Sequence, residues 1–542
     1  MQWLKKLSHN RPDFFPLIAL FLVYSAGHGL ILLNDAVLWD DWHWQFFSMK
    51  EAVWQYVAQS QPFYALVYWI CHSITSSHYF FRAITFVLFF LISVLFYKIL
   101  CRSKKFTGDF SDKFSSNFPD NFPDNFQRWP AFFTAALFAV LPQYFSRLCF
   151  GMLTYTLSLF LFTWAFYLVI AGYYLRTWLW RGLTLSLFFL SFTLASLIWL
   201  YLIPCGYLYF SFQEPFKFSV RKIVRFSIRH MDFILLPFVF VVSHKIFFPK
   251  LAQFAGYNAI TWEGFLESRA FLWKSIRIGF IDLLRRFWGK KIVLEFLILF
   301  IAGVVIQPAL ALKKSIHWVA LALASFLFFC FSVFPYSIVG RAIDHYYIED
   351  RNAILTLFFL ALFFFSALSA FFSFTRAKWS LYLALGILTF TFAKRSFEVN
   401  LSCLQGMIKQ DALMARFAEM PEIRDGRTFY VDDHATDYAP NDTPYEQSQL
   451  TGLVRAVYKT PNRCVSDHKD DCRMMSDWVL KRNYYSLYEY QPDQDRYQIT
   501  LDYGPLILTD KRAIFLALMK IFDRSLYRKT LPETLKVTVR RL

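Results

Sequence analysis

Apolar residues in this chain gather into long runs separated by short polar stretches. The runs at Leu17–Leu33, Phe80–Leu100, Ala131–Val140, Leu153–Ala171, Ile234–Phe248, Val293–Leu312, Val319–Phe334, Ile354–Phe374 and Leu381–Ala393 are dense in Leu, Phe, Ile, Val and Ala. A helix needs about 20 such residues to cross the hydrocarbon core of a bilayer. Helices also satisfy their own backbone there, which open loops and sheet edges do not. The pattern therefore predicts an α-helical polytopic membrane protein. The first run is long, lacks a clear small-x-small cleavage site and is followed by many others, so it reads as a span rather than a cleaved signal. Leu183–Phe212 reads either as one long helix or as a tight hairpin broken near Pro204; the hairpin, which puts the two most polar loops on the same side, is favoured and brings the expected total to about 11 spans. Phe63–Ile74, after Gln61-Pro62, is too short to cross and reads as an interfacial helix.

Beyond about Phe397 the pattern changes. Thr428–Val431, Tyr497–Leu501 and Leu535–Val539 read as strands, and Arg512–Phe522 as an amphipathic helix. Residues 1–395 are thus expected to form a multi-span domain and residues 396–542 a small soluble α/β domain.

Composition sharpens this picture. The chain is 56% hydrophobic, 21% aromatic and 18% charged, with 66 Phe among 542 residues. Soluble domains average near a quarter charged. A disordered chain, a collagen-like repeat, a disulfide scaffold and an ordinary soluble enzyme are excluded. The net charge of +18 lies wholly in residues 1–395, because 396–542 carries 21 basic and 21 acidic residues. Basic residues in short loops between spans fit a positive-inside distribution beside anionic lipid, not nucleic acid. With Lys5, Lys6 and Arg11 on the cytoplasmic side, the first span puts Asn34–Gln61 outside, and the hairpin puts the C-terminal domain outside as well. The repeated Asn-Phe-Pro-Asp tract at 117–126 reads as turns in a cytoplasmic loop. Six cysteines lie in or near apolar runs. Cys464 and Cys472 instead flank a polar loop, where a local disulfide suits an extracytoplasmic domain; the alternative is a metal site using His468 and the neighbouring acids.

Three clusters carry candidate chemistry. Trp39-Asp40-Asp41-Trp42-His43-Trp44 places two carboxylates just past the first span, where unpartnered acids are costly. One of them is suited to act as a general base or to bind a cation, with Trp42 and its neighbours stacking on a sugar or anchoring the interface; the bland reading is an aromatic belt with solvated acids. The loop Phe334–Asn352 holds Arg341, Asp344, His345, Glu349, Asp350 and Arg351. Its guanidinium groups suit a phosphate; the bland reading is a salt-bridged turn. Residues 252–291 read as a basic amphipathic helix on the membrane surface. Arg82, at the start of the second span, and Arg147 either snorkel or face a common cavity. No Gly-rich phosphate loop, HExxH or GxSxG motif is present.

An N-terminal span, then Asp40-Asp41-Trp42, then Gln61-Pro62-Phe63-Tyr64 with Arg82 about twenty residues on, resembles the membrane glycosyltransferases of the GT-C class, in particular the GtrII-like glucosyltransferases. The resemblance implies a bacterial inner-membrane enzyme that takes sugar from a polyprenyl-phosphate donor on the outer face and passes it to a surface glycan or lipid. It implies that Asp41 or Asp40 matches the acidic residue of the first loop, as catalytic base or metal contact. Arg341, Arg351 and Arg82 are expected at the donor phosphate, with no nucleotide required and a divalent cation optional. The WWD-type motif of oligosaccharyltransferases is absent, which argues against en bloc transfer to protein. The rival readings are a transporter or flippase for lipid-linked glycans, which predicts charges and broken helices at midplane, and a polymerase.

Overall fold

The computed structural model describes residues 13–38, 41–42, 49–103, 128–142, 145–211, 220–251, 260–285, 309–343, 348–372, 378–426, 428–438, 447–458, 464–466 and 496–542. The Asn-Phe-Pro-Asp tract and most of Val293–Leu312 lie outside these residues.

Among the described residues, four helices are long and apolar enough to cross a membrane: Phe14–Leu33, His78–Arg102, Phe150–Ile170 and Ile316–Ser337. A bent pair, Ile223–Arg229 with Met231–Phe247, makes a fifth if counted as one span. Trp129–Val140, Ser196–Phe210 and Leu357–Phe372 are apolar but shorter. The core of this bundle is almost wholly Phe, Leu, Ala, Ile and Tyr, with Leu137, Phe188, Leu360 and Phe392 fully buried. Such a helix bundle packs by van der Waals fit, and the abundance of Phe shows as interleaved ring pairs such as Phe138–Phe358 at 4.5 Å.

The chain does turn back within 178–211, but not at Pro204. Helix Trp178–Ser191 ends, 192–195 form the bend, and Ser196–Leu200 and Leu202–Ser211 return. Both arms pack on the preceding helix: the ring of Phe188 lies 5.3 Å from that of Phe162, and the ring of Tyr207 6.0 Å from that of Phe166. Pro204 sits in the first turn of Leu202–Ser211, where a missing N–H costs no helical bond.

Lys378–Glu419 is a single helix of 42 residues. At 1.5 Å per residue it is about 63 Å long, roughly twice the hydrocarbon thickness. No break occurs at 395/396, where composition shifts; Lys394 and Arg395 instead pair with Glu398 one turn on. The second half of this helix is the spine of the C-terminal region. Leu404, Met407, Ile408, Leu413 and Phe417 pack in one core with Phe429, Val431, Ile499, Leu501 and Leu516.

The sheet built on this spine has four strands, β1 (Thr428–Asp433), β2 (Cys464–Ser466), β3 (Arg496–Tyr503) and β4 (Leu535–Arg541), in the order β2-β1-β3-β4. β2, β1 and β3 are parallel and β4 is antiparallel to β3. Helix Gln447–Tyr458 lies in the β1-to-β2 crossover, and Asp510–Phe522 and Arg524–Thr530 join β3 to β4. Three of the strands and the helix at 512–522 match the expected positions; β2 is too short to show periodicity. The backbone of Cys464 lies in β2, while its side chain and Cys472 fall outside the described residues.

Candidate functional site

Four segments far apart in sequence meet where the first long helix ends. They are the stretch 34–42, the start of His78–Arg102, the turn 145–152 and the middle of Lys378–Glu419. The last of these presents Asn400, Cys403, Met407 and Gln410, spaced three, four and three residues apart and so on one helix face. Asn400 Nδ2 donates to the Gly27 carbonyl at 3.0 Å. Asn34 Nδ2 donates to the Cys403 carbonyl at 3.0 Å. The Asp35 amide lies 3.3 Å from Met407 Sδ. Gln410 closes a two-bond ring with Val37, accepting its amide at 3.1 Å and donating to its carbonyl at 2.7 Å. Lys520 adds a tie from the C-terminal region, donating to Asp35 and, at 2.6 Å, to Asp411, which also accepts the Tyr527 hydroxyl at 2.6 Å. Burial pushes the Asp411 carboxyl up, against the opposing pull of Lys520.

Asp41 sits at this junction and is 1% exposed. Its Oδ2 accepts the Phe150 amide at 2.8 Å and its Oδ1 the Gly151 amide at 3.1 Å. These two amides open the Phe150–Ile170 helix, so an acid from another loop caps a helix N-terminus. Burial pushes the Asp41 carboxyl up to about 6; the Phe150 and Gly151 amides, the positive field of Arg82 and the backbone of Leu38 pull the other way without overcoming it.

Arg82 is 2% exposed and spends its donors on the chain itself. Nε donates to the Leu148 carbonyl at 3.0 Å, one Nη to the carbonyl and, at 2.9 Å, the Oδ1 of Asn34, and the other Nη to the Ala36 carbonyl. It ties three segments around Asp41, which is a positioning arrangement rather than one aimed at a ligand. Arg147 is also buried, with its guanidinium over the rings of Phe89 (4.3 Å) and Tyr24 (5.6 Å) and near the Ala139 carbonyl. Trp42 is 2% exposed and lies against helix Gln447–Tyr458, where a Cβ on Gly452 would come within 2.6 Å of its ring. The C-terminal region therefore covers Trp42, and the ring is no open stacking platform. Asp40 lies outside the described residues.

The second cluster reaches the same junction through one contact. The 3-10 turn Ile348–Ala353 packs on helix Phe145–Leu148, whose last carbonyl holds Arg82. Arg351 is buried and lies near Tyr336. Arg341 is partly buried next to Gly340, whose φ of +73° lets the chain turn after the Ala309–Ser337 helix. Asn352 Nδ2 donates to the Ala342 carbonyl at 3.1 Å, closing the loop. Asp344, His345 and the Glu349 side chain lie outside the described residues.

No protein-family model matches the chain, and no curated protein matches it. The site thus rests on its own geometry. Among the described residues no three His, Cys, Asp or Glu side chains converge as a metal site. The two Asp41 oxygens face the N–H donors of Phe150 and Gly151. Sequence reasoning missed Asn34, Asn400, Gln410 and Lys520. The amide side chains Asn400 and Gln410, within an otherwise apolar helix face, were the available signal for the helix that holds the loop.

Proposed function

We propose that this protein is a membrane glycosyltransferase of the GT-C kind, with about 11 spans and an outer C-terminal domain. It moves a sugar from a polyprenyl-phosphate donor to a surface glycan or lipid. The observation that carries this reading is Asp41: a rigidly held carboxyl beside the membrane-length helices, with a pKa of about 6. A general base works best when its pKa lies near the operating pH.

In this reading Asp41 takes the proton of the acceptor hydroxyl as its oxygen attacks the anomeric carbon. The bond from that carbon to the phosphate oxygen breaks, and polyprenyl phosphate leaves with the electron pair. Direct displacement inverts the anomeric centre. Arg341 and Arg351 stabilise the leaving phosphate, as fixed cations do when charge develops in a transition state. Arg82 acts through Asn34, Ala36 and Leu148, holding Asp41 in place. The lipid phosphate is itself a good leaving group, so no nucleotide is needed.

The test is the mass profile of surface glycolipids and polysaccharides from cells making the native chain, Asp41→Asn at matched membrane level, or neither. A sugar-mass increment present only with the native chain is expected. Identical profiles for native and variant, both differing from the empty control, would remove Asp41 as base and favour a transport role.

A further inference from the structure

We propose that helix Val220–Arg229 is a binding surface for anionic lipid headgroups, lying along the membrane plane at the foot of Met231–Phe247. This inference does not depend on the glycosyltransferase reading. The helix reads Val-Arg-Lys-Ile-Val-Arg-Phe-Ser-Ile-Arg, with four basic residues and no acid. Val220, Ile223, Val224 and Ile228 recur at the spacing of one helix face and are solvent-exposed, Val220 to 78% and Ile228 to 72%. Arg221, Arg225 and Arg229 recur every fourth residue, forming a second, exposed stripe.

Neither stripe is at home in a single solvent. Apolar side chains this open are unfavourable in water, and this many cations are unfavourable in hydrocarbon. The boundary between acyl chains and headgroups suits both at once. The orientation agrees, because the helix is bent by 68° from Met231–Phe247. The corner is built rather than slack. Arg181 Nε donates to Asp232 at 2.6 Å, and its Nη2 reaches the Arg229 carbonyl at 3.3 Å. The Tyr174 hydroxyl donates to Asp232 at 3.4 Å, and the Phe226 ring packs 5.2 Å from Tyr209. Among the described residues the nearby carboxylate, Asp232, is thus engaged by Arg181, and the helix itself supplies none to offset its charge. A free phosphate would answer the cations but leave the apolar stripe uncovered; a lipid answers both.

The experiment uses the full chain in nanodiscs of phosphatidylcholine, with or without phosphatidylglycerol. Amide exchange of the 220–229 segment and the lipids retained on purification are read together. Slower exchange with phosphatidylglycerol is expected, together with selective retention of that lipid. Arg221→Gln with Arg225→Gln should cut the selectivity by about tenfold or more, since each basic residue near an anionic surface contributes roughly fivefold. High salt should do the same, and Arg221→Lys with Arg225→Lys should keep it. Equal exchange in the two nanodiscs overturns the proposal on the native chain alone, whether or not the variants assemble. A photo-crosslinker at 228 that captures a second copy of the chain instead of lipid overturns it as well.

Discussion

Asp41 and Asp433 are both buried acids in the core that joins the two regions, and they are held in opposite ways. Asp433, at the end of β1, receives both lone-pair faces' worth of charge from one lysine: Lys409 Nζ lies 2.8 and 2.7 Å from its oxygens and 2.7 Å from the Ala435 carbonyl. All three ammonium donors are used, and both side chains are nearly inaccessible. Among the described residues Asp41 is met by backbone amides, those of Phe150 and Gly151 foremost, while the cation beside it, Arg82, is spent on carbonyls and on Asn34. One negative charge is cancelled at contact distance and the other is not. Burial alone therefore does not distinguish a fastening from a chemical group; the partner does. Asp433 fixes the sheet to the long helix, and Asp41 stays titratable near neutrality.

The largest effect should follow from breaking the cancelled pair. Burial already lowers the Lys409 pKa against the pull of Asp433. Lys409→Met leaves Asp433 buried without its counter-ion and should cost about 3–5 kcal/mol, read as a fall in the melting temperature of the purified chain. Adding Asp433→Leu should recover most of that loss; no recovery would mean the pair is not the unit of stability. For Asp41 the sign runs with pH. Its folded-state pKa of about 6 lies above the ordinary carboxylate value of 3.8. Its favourable share of stability is complete below about pH 4 and is lost as pH rises toward 6, by about 3 kcal/mol in all. Melting curves across that window should flatten in Asp41→Asn, while transfer activity in the native chain should rise over the same window.

Arg82→Lys should cost about 2–3 kcal/mol, because a compact ammonium cannot bridge three segments as the guanidinium fork does. Proteolysis within 34–48 should rise accordingly. Gly452→Ala should cost least, about 1–2 kcal/mol. The added methyl meets the Trp42 ring, but alanine's better helix propensity returns part of the overpacking cost. Trp42 fluorescence is masked by sixteen other Trp, so melting temperature is the measurement there.

Much of the helical frame was legible in the sequence because long apolar runs have few alternatives. Phe14–Leu33, His78–Arg102 and Phe150–Ile170 lie where their runs do. Three of the four strands of the C-terminal region were legible from alternation; Cys464–Ser466 was not, being too short to show a period. The bend at 192–195 was hidden because Pro204 looked like the stronger breaker, yet proline fits a helix's first turn. The continuity of Lys378–Glu419 was hidden for another reason. A shift from apolar to mixed composition marks where the surroundings change, and Lys, Arg, Glu, Gln, Leu and Met all continue a helix through it. At the site, Asp41 was legible as an acid beside a span. The role of Arg82 was not, since its partners at Asn34, Ala36 and Leu148 are brought together only by the fold. Trp42 was legible as an interfacial aromatic, but its cover, Gly452, lies over 400 residues away in the chain.

The central claim is that Asp41 is a buried acid with no counter-ion at contact distance among the described residues, poised near neutral pH. Infrared difference spectra of the native chain minus Asp41→Asn, recorded across a pH titration, test it directly. The account predicts a protonated-carboxyl band that disappears with a midpoint of about 6. A carboxylate already ionised throughout the range above pH 4.5 would contradict it, and would leave Asp41 as a helix cap and nothing more.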